Sequence, residues 1–101
     1  MSNNNNEIFV GRLGVDPILK YTKNQIPVCT LSVAINSEGS SKAIWKKVIV
    51  WDKQAENCNL YLKKGKKVFV QGQTEEKSYE STNGITKTYQ EVKASLVGFT
   101  H

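Results

Sequence analysis

Residues 28–36 read Val-Cys-Thr-Leu-Ser-Val-Ala-Ile-Asn, and their polarity alternates. Cys29, Leu31, Val33 and Ile35 share an apolar face, while Val28, Thr30, Ser32 and Ala34 share the other. A period of two is the mark of a half-buried β-strand. Glu7 to Leu13 reads as an earlier strand, ended by Gly14 and a turn around Asp16-Pro17, and Ile18 to Thr22 continues it after a bend. Lys23 to Pro27 makes a turn and Glu38 to Lys42 a polar loop. Ile44 to Trp51 is the third strand. Asp52 then serves as a helix N-cap and Gly65 as a stop after Lys63-Lys64, with Ala55, Cys58 and Leu62 on one helical face. Lys67 to about Tyr79 is a long fourth strand, in which Gly72 marks a bulge. Thr82-Asn83-Gly84 signals a hairpin tip. Thr86 to Phe99 is the fifth strand, with Val92, Ala94 and Leu96 alternating, and Tyr61, Leu62 and Phe69 join the core. Five strands with one short helix between the third and fourth is the order of an all-β OB-fold barrel.

The third strand carries the most chemistry. Trp45, Lys47, Ile49 and Trp51 occupy one face, and Lys46, Val48 and Val50 the other. The valines supply core. The two indoles then stand roughly 20 Å apart along an extended strand, with a lysine between them. Flat π-surfaces flanking a positive charge suit unstacked bases and their phosphates. A strand buried on both faces would use the same tryptophans as core.

Composition narrows the choice. The chain has 101 residues, a net charge of +5 and an ordinary apolar content of 39%, the size of one domain. Residues 42–67 hold eight lysines against Asp52 and Glu56, whereas the flanking segments are nearly balanced. The basic excess coincides with the two-tryptophan strand and points to a polyanion partner, beside the plainer reading of a solubilising surface. No apolar run approaches the ~20 residues of a membrane span, and Met1 to Asn6 lacks signal-peptide features. Residues 1–6 are therefore expected to be a disordered lead, residues 7–101 a single domain, and the compartment cytoplasmic. Cys29 and Cys58 lack zinc-ligand spacing and the sole histidine is His101. No metal, cofactor or catalytic set is expected, and the cysteines read as free thiols, with one disulfide left open.

The chain resembles the bacterial-type single-stranded DNA-binding proteins. The resemblance runs from about Ile8 to Val97 and rests on Val10-Gly11-Arg12-Leu13-Gly14-Val15-Asp16-Pro17, Tyr21-Thr22, Trp45 to Lys53, Ala55-Glu56, Tyr61 to Gly65 and Val68-Phe69-Val70-Gln71-Gly72. It implies base stacking on Trp45, Trp51 and Tyr79, the last of which cross-strand packing would also explain. Lys47 is expected to meet phosphate between the indoles. Arg12, Lys20, Lys53, Lys63, Lys64 and Lys77 are further candidates for phosphate contact.

Several positions depart from the family pattern. The loop aromatic after the second strand is replaced by Glu38-Gly39-Ser40. Glu75-Glu76 brings negative charge to a strand that is often basic, and Lys46 stands where histidine is common at a subunit contact. The family's acidic tail, which recruits other replication proteins, has no counterpart up to His101. A naturally short version, as a bacteriophage or mobile element would encode, and a trimmed chain both fit. The resemblance implies sequence-independent binding and protection of single-stranded DNA in replication, recombination and repair. It also implies a homo-oligomer, a tetramer ahead of a dimer, with replication proteins as further partners and no membrane role. The alternative is a primosome-like accessory protein that acts mainly by docking other proteins; an RNA-chaperone role is a third reading.

Overall fold

The computed structural model describes residues 6–36 and 43–99. Among these are six strands and one helix: β1 (Asn6–Leu13), β2 (Ile18–Tyr21), β3 (Pro27–Asn36), β4 (Ala43–Trp51), α1 (Asp52–Tyr61), β5 (Lys67–Glu80) and β6 (Thr86–Phe99). The expected loop at 38–42 lies outside the described residues, as do residues 1–5 of the expected lead. Asn6 is not part of a disordered lead, because it opens β1 opposite Gln73.

The strands form one sheet in the order β1-β5-β6-β4-β3-β2, and β1 returns to pair with β3, so that the sheet closes into a barrel. This is the all-β OB architecture with its helix at the expected point of the chain. The count of strands differs from five. Arg12 and Leu13 pair with Ala34 and Val33, and Ile18 to Tyr21 pair with Thr30 to Pro27. β1 and β2 thus occupy successive stretches of one edge of β3. Gly14 N–H still donates to the Ser32 carbonyl at 2.9 Å, and the corner at Val15–Pro17 then interrupts the strand, so a single bent strand becomes two.

Closure needs a missing side chain. A Cβ on Gly11 would lie 2.5 Å from the Ala34 carbonyl oxygen and 2.6 Å from Val33 Cγ1. Within the ring, Cys29, Leu31 and Val33 of β3 meet Val48 and Val50 of β4, Val68 and Val70 of β5 and Val92 of β6, all at most 2% exposed. These are the inward faces that the alternation specifies. Helix α1 packs beneath them through Ala55 and Cys58, and Leu62 completes the plug.

Local details of the helix depart from the sequence reading. Asp52 is not the N-cap: Trp51 holds that place with extended backbone and no side-chain cap, and Asp52 takes φ 62°. β4 runs into α1 without a linker, so the reversal falls on one residue, and aspartate tolerates the left-handed region better than most. The helix stops at Tyr61 because Leu62 turns into the core with extended backbone. Gly65 (φ 89°) belongs to the following turn, whose amides bond back to β1: Gly65 N–H donates to the Leu13 carbonyl at 2.8 Å, and Leu13 N–H to that of Lys66 at 2.9 Å.

Gly72 lies at the expected bulge. Gln71 faces Leu96 and Gly72 faces Ala94, so Ser95 is the extra residue of β6. The bulge reverses the inside–outside alternation. Val92 and Ala94 face the core before it and Val97 after it, which leaves Leu96 exposed. Gln54 of α1 secures the irregularity, donating to the Ser95 carbonyl and accepting from Val97 N–H, both at 3.0 Å. Tyr61 and Phe69 are not core. Phe69 alternates with buried Val68 and Val70 and must face outward, and Tyr61 stands off the Ala55–Cys58–Leu62 stripe. The Tyr61 ring meets Phe99, which packs partly buried against the core, with ring centres 6.1 Å apart.

Cys29 and Cys58 are free and buried. Burial pushes the Cys29 thiol up to about 11 and that of Cys58 up to about 12, against an ordinary 9.0.

Two expectations follow from this core. Gly11→Ala forces β1 away from β3 and should lower the unfolding free energy by about 1–3 kcal/mol in urea titrations. Because both thiols resist ionisation in the fold, stability is intact below the unfolded thiol pKa near 9. It should fall as pH rises toward 11, by up to about 1.4 kcal/mol per pH unit for each thiol. Urea melts at pH 8 and pH 10 should show this loss, and Cys29→Ala/Cys58→Ala should remove most of it.

Candidate nucleic-acid interface

β4 presents Trp45, Lys47, Ile49 and Trp51 on the outside of the barrel, because Val48 and Val50 fill the inside. Trp45 is 59% exposed and Trp51 39%. Neither is core. The register extends this face across the neighbouring strands, since directly paired residues point to the same side. Trp51 faces Val28, which faces Lys20; Trp45 faces Ala34, which faces Arg12. Lys20 and Arg12 therefore lie two strands from the two indoles, about 10 Å away at the usual strand spacing.

On the other flank β6 runs parallel to β4, with Ile49 beside Lys93. A groove of about 230 Å³ lies there, lined by Ile49, Trp51, Glu75, Lys77, Glu91 and Lys93. A second concavity of about 450 Å³ is lined by Thr30, Ser32, Trp45, Lys46, Lys47, Tyr89 and Gln90. Lys47 lies between the two indoles on β4, and Tyr89 lines the concavity at the Trp45 end. The Lys47 ammonium stands 5.3 Å from the centre of the Tyr89 ring and 3.2 Å from a Glu91 carboxylate oxygen. Tyr79, 50% exposed, meets Tyr89 with ring centres 5.8 Å apart. Lys77 faces Tyr89 across the ribbon and pairs with Glu75 at 3.5 Å.

The structure thus gathers Trp45, Lys47, Trp51, Tyr79 and Lys77 on one surface, with Lys20 and Arg12 on its margin. The Arg12 guanidinium donates to the Gly65 carbonyl at 3.1 Å and so also braces the turn after the helix. Lys63 and Lys64 are exposed in that turn, which docks on β1 beside Gly14. Lys64 N–H donates to Asp16 Oδ1 at 2.8 Å. The Trp45 ring lies over Gly14, where any Cβ would strike it. These two lysines therefore belong to the Trp45 end. Lys53 is exposed on the first turn of α1, just past Trp51. Lys46 points to the inner side and donates to Glu7 at 2.9 Å, with its ammonium 6.0 Å from the Phe9 ring centre.

Sequence reasoning missed Tyr89, Lys93 and Glu91. A signal for them existed. Ser81 N–H donates to the Ile85 carbonyl, which leaves Thr82-Asn83-Gly84 as a three-residue loop with Gly84 at φ 76°. Counting outward from that loop puts Tyr89 opposite Lys77 and Glu91 opposite Glu75.

Residues 4–100 match the family described as the single-strand binding protein family. The chain belongs to it. Among its relatives, a single-stranded DNA-binding protein of Bacillus cereus is 39% identical over 100 residues, covering 94% of this chain and 59% of its own length. Single-stranded DNA-binding protein A of Bacillus subtilis is 36% identical over 94% of this chain and 58% of its own. Single-stranded DNA-binding protein 2 of Clostridium acetobutylicum is 36% identical over 94% of this chain and 75% of its own. The chain spans about three fifths of the length of the first two. In this family member the matched region includes every strand and the helix described above.

Proposed function

We propose that this protein binds single-stranded DNA without regard to sequence, covering it in the bacterial cytoplasm during replication, recombination and repair. The observation that carries the reading is the pair of exposed indoles on β4 with Lys47 between them and Tyr89 beside Trp45 and Lys47. A strand laid across β4 stacks bases on Trp51 and Trp45, with Tyr79 and Tyr89 extending the aromatic surface along the ribbon. Lys20, Lys77 and Lys93 flank the Trp51 end, and Arg12, Lys63 and Lys64 the Trp45 end. Stacking is indifferent to base identity because every base has a π-face. The surface offers binding, orientation and charge neutralisation, and no bond-breaking step is assigned to it.

The reading includes self-association. β1 pairs with β5 along Asn6–Arg12, while its other edge meets β3 only at Arg12 and Leu13. Asn6 to Gly11 is thus an open strand edge among the described residues, with Ile8 65% and Val10 46% exposed. A second copy adding strand to strand there satisfies the backbone and covers both side chains. Assembly brings several stacking surfaces within reach of one DNA strand, and partner replication proteins then meet the assembled form.

Tryptophan fluorescence should fall strongly as oligo-dT is added. Trp51→Ala should weaken binding by about 1–3 kcal/mol with little change in the salt slope, and should melt near the wild-type temperature because the indole lies outside the core. Lys64→Ala should instead lower the salt slope by about 0.7. Unquenched fluorescence with DNA in excess at low salt removes the stacking assignment. Light scattering at micromolar concentration should give a multiple of 11.3 kDa. A monomeric mass with tight binding intact removes the assembly while leaving the stacking surface standing.

A further inference from the structure

We propose that Glu75 and Glu91 are internal competitors of the DNA phosphates. They hold the lysines of the stacking groove in ion pairs that an incoming strand has to open, so that binding there leans on stacking and responds weakly to salt. The inference rests on the single-stranded DNA reading above and deepens it.

Four observations carry it. Lys47, the cation between the indoles, is 3.2 Å from Glu91, whose side chain is only 16% exposed. Lys77 is 3.5 Å from Glu75. Both carboxylates line the same groove as Trp51 and Ile49, where Lys93 has no ion pair among the described residues. Finally, Glu75 and Glu91 are directly opposed across β5 and β6. Like charges in that position weaken a two-stranded ribbon, so neither carboxylate is explained by the stability of the strand pair. The lysines offset their repulsion and are occupied in doing so.

A phosphate that takes Lys47 or Lys77 displaces a carboxylate. Counterions leave the DNA as usual, but the freed carboxylate gathers cations of its own. Added salt weakens the DNA contact and the internal pair together. The two dependences oppose each other, and the net slope is shallow.

The test is a fluorescence titration with oligo-dT between roughly 50 and 200 mM salt. It compares the wild type, Glu75→Gln/Glu91→Gln and Glu76→Gln/Glu80→Gln. The last variant makes the same charge change on the opposite face of the same ribbon. An exposed ion pair accounts for roughly a two- to five-fold effect. The groove variant should therefore bind about four- to twenty-five-fold tighter at low salt, with a slope steeper by about 1.4, the value for two freed lysines. Its curve should converge on the wild type as salt rises, and Glu75→Gln alone should give about half the slope change. The control variant should keep the wild-type slope. Equal gains for the two double variants, an unchanged slope in the groove variant or weaker binding by it each overturn the inference while leaving single-strand binding intact. A wild type that binds no oligo-dT at low salt overturns the functional reading itself, and this inference with it.

Discussion

The barrel depends on one close approach, the passage of β1 against β3 at Gly11. Only two residue pairs, Arg12–Ala34 and Leu13–Val33, join these strands, and no side chain fits beside them at position 11. Closure there curls the sheet, and the curl decides what is inside. Valines on β4, β5 and β6 converge with Cys29, Leu31 and Val33, and α1 is drawn up beneath them. The outer face of β4 is left open. Trp45 and Trp51 owe their exposure to the interior having been filled by smaller, branched neighbours.

Much of this was legible from the period of two. The inward sets on β3 and β4 and the outward tryptophans follow from alternation and need no tertiary information. The helix stripe of Ala55, Cys58 and Leu62 is equally local. Other features depend on partners distant in sequence. Ser95 carries no mark of a bulge, and the reversal it imposes exposes Leu96 and buries Val97. Asp52 looks like a cap because aspartate before an apolar stripe usually is one; here the direct joint between strand and helix places Trp51 in that role. Phe69 could have been assigned outward from its buried neighbours. Its hydrophobicity argued for core, and periodicity was the better guide.

The candidate site divides in the same way. The β4 residues and Tyr79 stand out in the chain, and Lys77 joins them by strand pairing. Tyr89, Glu91 and Lys93 become visible only when the hairpin register is counted. Charge was the least readable property. Glu75 reads as repulsive to phosphate in the linear sequence, but Lys77 neutralises it, and Lys47, which reads as a free cation, is held by Glu91. The net charge of the central segment therefore overstates the field at the groove, since a charge matters through its nearest partner.

The joint at Trp51 and Asp52 links recognition to folding. One indole of the aromatic shelf is carried by the last residue of β4, which is also the N-cap of the helix that plugs the barrel. Shelf and plug are a single uninterrupted piece of chain. Fraying of α1 would release the backbone that aims Trp51, and under the proposed reading a base held against Trp51 would restrain the start of α1. A ligand on the outer surface would thereby be felt by the hydrophobic interior, and its occupancy would become a source of conformational stability through mass action. Under the proposed reading, the protein bound along a strand would be a firmer object than the same protein waiting for one.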